Sequence, residues 1–150
     1  MRGRRSRSRG YRAERELVNE LWRLGFAVMR APASGAKIKK ADYPDIVAIR
    51  EGKVAVFEVK SRAKTQTIYL EKEQVHKLLN FTERAGGKAY IAIRIPHKEW
   101  KFIRAENLQE TKGGKLKVTK QQIIDAPNLA GVLKDLRLIK SLEEYMGDGV

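Results

Sequence analysis

Helical spacing of apolar residues marks three stretches of the chain. Helices are predicted over about residues 12–24, over 71–85 and from residue 128 onward. Gly25 and Gly86 follow the first two stretches, where glycine commonly ends a helix, and Asn128 is a suitable N-cap for the third. The apolar stripe of the third helix, which reaches Leu142, either closes the core or meets a partner chain.

Continuous apolar runs between these helices predict strands. They lie at about residues 26–30, 46–49, 54–60, 88–95, 100–103 and 116–118. Glu51-Gly52, between the second and third runs, predicts a tight hairpin. The order helix, strand, hairpin, helix, strand, short strands, helix indicates an α/β domain with a mixed central β-sheet flanked by helices.

Three charged residues lie at the outer ends of the hairpin strands. If Glu51 and Gly52 are the two loop residues, counting outward places Asp45 opposite Glu58, with Cβ atoms ~5 Å apart. Lys60 then shares a face with Glu58, because side chains alternate along a strand. Two carboxylates this close call for a cation or a shared proton, which predicts a divalent-metal site for phosphodiester hydrolysis. A three-residue loop would shift the pairing by one and send Asp45 and Glu58 to opposite faces.

Glu14 belongs to the apolar side of the first predicted helix. It precedes Leu17, Val18 and Leu21 by three, four and seven residues, so its side chain projects from the apolar stripe. A carboxylate in the first turn of a helix also complements the helix dipole. Both explanations of Glu14, a site residue or a dipole partner, remain open from the sequence.

The amino-acid composition indicates what kind of partner the protein binds. The 150 residues suffice for one domain with a core, and their net charge of +14 favours a polyanion. No apolar run approaches the ~20 residues of a membrane-spanning helix, so we expect nucleic acid rather than a membrane as the partner, and a cytoplasmic location. The absence of cysteine excludes disulfides, thiolate zinc sites and a cysteine nucleophile.

Basic residues concentrate in three places. An arginine-rich tail opens the chain, a loop of small residues over 31–36 precedes three lysines, and a basic link follows Lys60. The predicted DNA-binding residues are Arg4, Arg5, Arg7, Arg9, Arg12, Arg30, Lys37, Lys39, Lys40, Arg62 and Lys64.

Four segments resemble the archaeal Holliday-junction resolvase family, within the restriction-endonuclease-like nuclease fold. They are Arg-Gly-Tyr-Arg-Ala-Glu-Arg at 9–15, Arg-Ala-Pro-Ala-Ser-Gly at 30–35, Pro-Asp-Ile-Val-Ala at 44–48 and Phe-Glu-Val-Lys-Ser at 57–61. The Pro-Asp and Glu-x-Lys pair alone indicates only the broad fold, and the loop at 30–35 narrows it to resolvases. The resemblance covers roughly residues 8–125.

The resemblance implies a homodimer that makes paired nicks across four-way DNA junctions, using magnesium or manganese. It implies an active site of Glu14, Asp45, Glu58 and Lys60, with Ser34 also needed for cleavage, and it favours the register in which Asp45 and Glu58 share a face. For the metal we expect Asp45 and Glu58 as ligands, the Val59 carbonyl as a further one, and Glu14 completing the shell. The segment 71–85 resembles the family's dimer interface.

The predicted organisation is a flexible basic tail over residues 1–11, a nuclease domain over 12–125 and a C-terminal helical extension over 126–150. Two other functions fit part of the sequence: a sequence-specific restriction or repair nuclease of the same fold, and a non-catalytic basic protein that coats nucleic acid. Protein partners such as a sliding clamp or a helicase have no signal in the sequence.

Overall fold

The structure of the protein, a computed structural model, describes residues 2–31, 43–140 and 142–148, and the side chains of 10–31, 43–140 and 143–146. The described helices are α1 Arg2–Arg23, α2 Lys72–Ala85, α3 Lys120–Asp125, α4 Leu129–Asp135 and α5 Leu142–Asp148. The described strands are β1 Ala27–Arg30, β2 Ile46–Arg50, β3 Lys53–Ser61, β4 Ile68–Leu70, β5 Lys88–Arg94, β6 Lys101–Arg104, β7 Gln109–Glu110 and β8 Leu116–Val118. A short 3₁₀ helix spans Ala105–Asn107.

A five-stranded sheet in the order β1-β2-β3-β5-β6 forms the centre of the molecule. Only the β3–β5 pair within it is parallel, and α2 is the helix that connects these two strands. The predicted mixed sheet is therefore confirmed. A second sheet of three short antiparallel strands, in the order β4-β8-β7, lies beside it.

Side chains alternate along the strands of the central sheet, so the sheet has two apolar faces. Helices pack on both of them. On one face, Leu17 and Leu21 of α1 and Leu133 of α4 pack with Phe57 and Phe102. On the other face, α2, α3 and the small sheet pack against the opposite side chains of β3 and β5. Burying one such leucine stabilises the fold by about 1.5–3 kcal/mol. Since each layer buries several apolar side chains, both layers hold the central strands in place.

The β2–β3 hairpin has the two-residue loop. Arg50 pairs with Lys53, and Ile46 pairs with Phe57 at the other end of the ladder. Glu51 and Gly52 both have positive φ, 52° and 76°, the signature of the turn that matches strand twist. One step further out, Asp45 stands opposite Glu58, so the predicted register is confirmed.

Helix α1 begins at Arg2, about ten residues before the predicted start, and takes in the segment for which the sequence predicts a flexible tail. Arginine is a good helix former, and adding residues to a helix costs far less than nucleating one. The turns anchored by Leu17 and Leu21 therefore propagate toward the N-terminus. The side chains of Arg4, Arg5, Arg7 and Arg9 lie outside the described ones, so their DNA contacts stay predictions.

The C-terminal part differs from the single predicted helix. Asn128 caps α4 as expected, its side chain accepting the Gly131 N–H at 3.2 Å, but α4 ends at Asp135. Arg137 then adopts φ 59°, a left-handed conformation that does not continue an α-helix. The apolar stripe of this region closes the core rather than being left for a partner chain, because Leu133 and its neighbours pack over β5 and β6. The division of the chain at residue 126 stays a prediction.

Helix α3 is absent from the sequence-based prediction. Its signal is a capping box, in which Thr119 and Gln122 exchange hydrogen bonds between side chain and backbone. Among the described helices, none is both long and apolar enough to cross a lipid bilayer.

Candidate active site

A cavity of about 490 Å³ opens where α1, α2 and the ends of β1, β2 and β3 meet. Its walls carry Glu14, Asp45 and Glu58, three of the four charged residues predicted for the active site. The lining residues are Tyr11, Glu14, Arg30, Ala31, Tyr43, Pro44, Asp45, Glu58, Glu71, Glu73, Gln74, Lys77 and Leu78.

Asp45 and Glu58 face each other at the floor of this cavity. Asp45 stands directly before β2, and its Oδ2 accepts the backbone N–H of Val59 at 2.8 Å, which clamps the carboxylate against β3. Glu58 lies within β3 and is only 7% exposed. The hairpin register therefore brings together two carboxylates that are thirteen residues apart in the chain.

The surroundings of Glu58 disfavour its charged form. Burial, and next the neighbouring Asp45 carboxylate, raise the pKa of Glu58 to about 8, while the Lys60 ammonium opposes them. Such a pair needs a shared proton or a cation at neutral pH. A divalent metal ion fits this donor set, because hard cations prefer carboxylate oxygens.

The Val59 carbonyl is available to the same site by strand geometry. The N–H and C=O of one strand residue point toward the same neighbouring strand. Since the Val59 N–H points to Asp45, its carbonyl also faces the end of β2, away from β5. The role of Val59 as a further oxygen ligand stays a prediction.

Within the described ranges, no three histidine, aspartate or glutamate side chains converge as a ready metal-binding group. Magnesium commonly keeps several waters and needs only one or two protein carboxylates. Two carboxylates, such as Asp45 and Glu58, would therefore suffice as protein ligands without a direct contact from Glu14.

Glu14 reaches the cavity from α1. Its Oε2 lies 3.6 Å from Nη2 of Arg30 on β1, and its side chain is only 16% exposed. Because α1 begins at Arg2, Glu14 lies in the fourth turn, which removes the helix-dipole explanation. Arg30 also has an Nε atom that is buried without a hydrogen-bond partner among the described residues.

Lys60 lies on the same side of β3 as Glu58, two residues further along the strand. Its Nζ is 3.6 Å from Oε1 of Glu58, and the side chain is 19% exposed. The structure therefore brings Asp45, Glu58 and Lys60 together as the sequence predicts.

Gln74 is a site residue that the sequence-based prediction does not include. It extends from the first turns of α2, and its Nε2 donates to Oε1 of Glu58 at 2.6 Å. Tyr11 of α1 and Lys77 of α2 also line the cavity. The available signal is a polar residue directly beside the buried stripe of α2, since Val75 follows Gln74.

The other predicted residues either lie on elements next to cavity-lining residues in the chain or fall outside the described residues. Arg12 is exposed on α1, next to Tyr11 of the cavity wall. Arg62 and Lys64 follow β3, and Arg62 donates to the Ser61 carbonyl at 2.8 Å. Outside the described residues lie Ser34, Lys37, Lys39 and Lys40.

Known proteins resemble this chain over most of its length. A family described as archaeal Holliday junction resolvase (hjc) matches residues 5–140. The crossover junction endodeoxyribonuclease Hjc of Sulfurisphaera tokodaii is 35% identical over 143 residues, which are 94% of this chain and 98% of that protein. The Sulfolobus acidocaldarius protein of the same name is 38% identical over 109 residues, 73% of this chain and 75% of its own.

Solved structures agree. The structure of Archaeoglobus fulgidus Hjc, a Holliday junction resolvase, has a TM-score of 0.72 at 30% identity and covers 83% of this chain and 95% of its own. D212, a nuclease from a fusselovirus, has a TM-score of 0.55 at 13% identity, over 96% of this chain and 95% of its own, and shares the fold alone. The predicted restriction-endonuclease-like core is confirmed. The family match continues past residue 125, where the resemblance of motifs ends, and so includes α4, which packs into the same core.

Proposed function

The chain belongs to the archaeal Holliday junction resolvase family, and we propose that it resolves four-way DNA junctions by paired, metal-dependent nicking of phosphodiester bonds. The observation that carries this proposal is the Asp45–Glu58 pair, in contact at the floor of the cavity with Lys60 beside it. A protein that only coated DNA would gain nothing from two facing carboxylates, since they repel phosphates.

Magnesium or manganese would be held by Asp45 and Glu58, with the Val59 carbonyl as a further ligand. When bound, such an ion lowers the pKa of a coordinated water and offsets charge on a phosphate. The Val59 N–H holds Asp45 in place for this role.

Lys60 supplies the positive charge that the chain itself brings to the reaction. Its ammonium, 3.6 Å from Glu58, would orient the attacking water or offset the negative charge that develops on the phosphate in the transition state. A lysine also acts as a point charge with three donors, so it can contact water and phosphate together.

Glu14 and Arg30 form the opposite wall. We assign Glu14 to the outer part of the metal site, acting through water, because it is paired with Arg30. Arg30 also lines the cavity, and its buried Nε has no hydrogen-bond partner among the described residues. We assign Arg30 a contact with the phosphate backbone. Ser34 keeps its proposed role in cleavage.

The basic residues around the cavity would hold the DNA. Arg12, Arg62 and Lys64 flank the cavity-lining elements, and the whole chain carries +14. Further phosphate contacts are assigned to Arg4, Arg5, Arg7, Arg9, Lys37, Lys39 and Lys40.

The active unit would be a homodimer, because paired nicking needs two sites and each chain offers one. Ala27, Met29, Val47 and Ile49 lie on the side of β1 and β2 that faces away from α1, here called the β1–β2 apolar face. Met29 is 66% and Ile49 41% exposed, and none of the described helices covers this face. It shares the α2 side of the sheet, so a second copy would bury it together with α2.

The test compares a synthetic four-way junction, a linear duplex and a single strand, each with magnesium or with EDTA. We expect symmetric nicks in the junction with magnesium, and no cleavage with EDTA or of the other two substrates. Equal cleavage of the duplex would favour a sequence-directed nuclease, and no cleavage under any condition would refute the enzymatic function.

A further inference from the structure

We infer that Gln74 is a positioning residue of the metal site, which fixes the carboxylate of Glu58 from across the cavity. The inference rests on the proposed function. It is carried by one hydrogen bond, from Nε2 of Gln74 to Oε1 of Glu58 at 2.6 Å.

The geometry gives this bond a specific consequence. Lys60 Nζ lies 3.6 Å from the same oxygen, Oε1, so both contacts meet on one side of the carboxylate. Together they set the rotation of the Glu58 carboxylate about its last bond. Because Glu58 is only 7% exposed, few waters can replace a lost donor. Removing the Gln74 amide therefore leaves the orientation of the Glu58 carboxylate to Lys60 and the adjacent Asp45.

Position on α2 explains why a glutamine suits this place. Gln74 directly precedes Val75, whose side chain is 1% exposed in the core between α2 and the sheet. The neighbouring packing therefore holds the backbone of Gln74 at a constant distance from β3. The Gln74 amide is neutral. It can therefore donate a hydrogen bond to Glu58 without competing with the Asp45 carboxylate as a ligand for a cation.

A positioning role for Gln74 differs from a purely structural role because its loss should change the affinity of the site for metal. Groups that orient a metal ligand typically change metal affinity by about 10–100-fold when they are removed. Gln74→Met keeps the length of the side chain and removes the donor. Gln121→Met is a matched control, because Gln121 is exposed on α3 and bonds only to Asp125 among the described contacts.

Manganese binding is measured by titration calorimetry on the full chain without DNA, and junction cleavage is measured over a range of manganese concentrations. For Gln74→Met we expect a dissociation constant raised about 10-fold or more. The metal concentration for half-maximal cleavage should shift in parallel, with the rate recovering at saturating metal. Gln121→Met should match the wild type in both measurements. Binding of the junction in EDTA should be unchanged in every variant.

An unchanged dissociation constant in Gln74→Met would overturn the inference while leaving the proposed function intact. A wild-type chain that neither binds manganese nor cuts junctions would overturn the proposed function and the inference with it. If Gln74→Met does not fold, as judged by circular dichroism, Gln74→Leu takes its place with the same expected shift.

Discussion

At the scale of single residues, a backbone hydrogen bond fixes the position of Asp45 in the site. One of its oxygens is held by the Val59 N–H, and it faces a buried Glu58. The Asp45–Glu58 pair has opposite effects on DNA binding and on metal binding. Its negative charge repels the phosphates of approaching DNA, while its oxygens are the ligands that a cation needs. Catalysis and DNA binding should therefore respond differently to its removal.

We expect Asp45→Asn to lower junction cleavage by more than about 100-fold, because losing a ligand should cost at least as much as losing a group that orients one. Junction binding in EDTA should stay the same or tighten, since a negative charge near the phosphates is removed. Cleavage is measured on labelled junctions and binding by gel shift. Asp125→Asn, at an exposed carboxylate on α3, is the control and should cut at the wild-type rate. Cleavage by Asp45→Asn within a few-fold of the wild type would refute the site.

A second carboxylate, Asp135 at the end of α4, fastens that helix to the sheet. It accepts hydrogen bonds from Tyr90, Lys88 and Arg104. Burial alone would raise the pKa of Asp135. The hydrogen bonds from Tyr90 and Lys88, together with the positive charges of Arg104 and Lys88, outweigh burial and lower the pKa below its ordinary value of 3.8. The folded state therefore favours the charged form of this side chain.

A lowered folded-state pKa means that Asp135 contributes stability above its unfolded pKa and loses it as the pH falls through the folded value. Asp135→Asn should lower the free energy of unfolding by about 1 kcal/mol at pH 7. The difference from the wild type should shrink as the pH falls below about 4. Urea titrations at several pH values measure this. A difference that stays constant down to pH 2 would contradict the assignment, and Asp125→Asn should show little difference at any pH.

At the scale of elements, the hairpin loop determines the whole site, because its length sets the pairing of β2 with β3. Glu51 has φ 52°, a conformation that costs an ordinary L-residue roughly 1–2 kcal/mol. The alternative three-residue loop would relieve Glu51, but it would turn the apolar side chains of one strand away from the core. Burial of residues such as Phe57 and Ile46 therefore outweighs the strain in the turn.

Asparagine is favoured in this turn, so Glu51→Asn should raise the free energy of unfolding by up to about 1 kcal/mol. The exposed ion pair between Glu51 and Arg50, at 3.7 Å, would be lost at little cost. The denaturation midpoint in urea is the measurement. Glu83→Asn, at an exposed position within α2, is the control and should lower stability slightly, because asparagine is a poorer helix former. Destabilisation by Glu51→Asn would mean that the turn is not strained.

At the scale of the whole molecule, the arrangement of charges and apolar surface suits a protein that binds DNA as a pair of chains. The β1–β2 apolar face lies on the same side of the central sheet as α2, while the cavity opens near the ends of the same strands. Helix α2 therefore shares a side of the sheet with the proposed dimer interface, and it also reaches the site through Gln74.

If the β1–β2 apolar face is the interface, Ile49→Lys should convert the dimer to a monomer, because two lysines would be buried against apolar surface. Light scattering should then fall from twice the chain mass to the mass of one chain, and paired nicking should be lost. Ile124→Lys, at a similarly exposed isoleucine on α3, should leave the dimer intact. A wild-type chain that resolves junctions as a monomer would refute the dimer itself.

Mixed dimers test the two-site model further. A dimer of one wild-type and one Asp45→Asn chain should nick only one strand of each symmetric pair, because each chain would act on its own strand. Uncut junctions, or cuts in both strands, would contradict one independent site per chain.

The sequence by itself determined the main elements of the central sheet and the residues expected to carry the chemistry of this protein. Local periodicity identified α2, the strands of the central sheet and the two-carboxylate pattern, because these depend on neighbours a few residues away. Net charge indicated a polyanion as partner. Even the correct register followed from the sequence once a two-residue loop was assumed.

Only the tertiary structure decided between the alternatives that the local sequence pattern leaves open, such as the length of the hairpin loop and the role of Glu14. The loop length depends on which register buries the apolar faces of β2 and β3, and the role of Glu14 depends on where α1 starts. Gln74 reaches Glu58 only because the crossover through α2 returns the chain beside β3. Such contacts join residues far apart in the chain, and their free energy comes from burial in the assembled core, which no single segment contains.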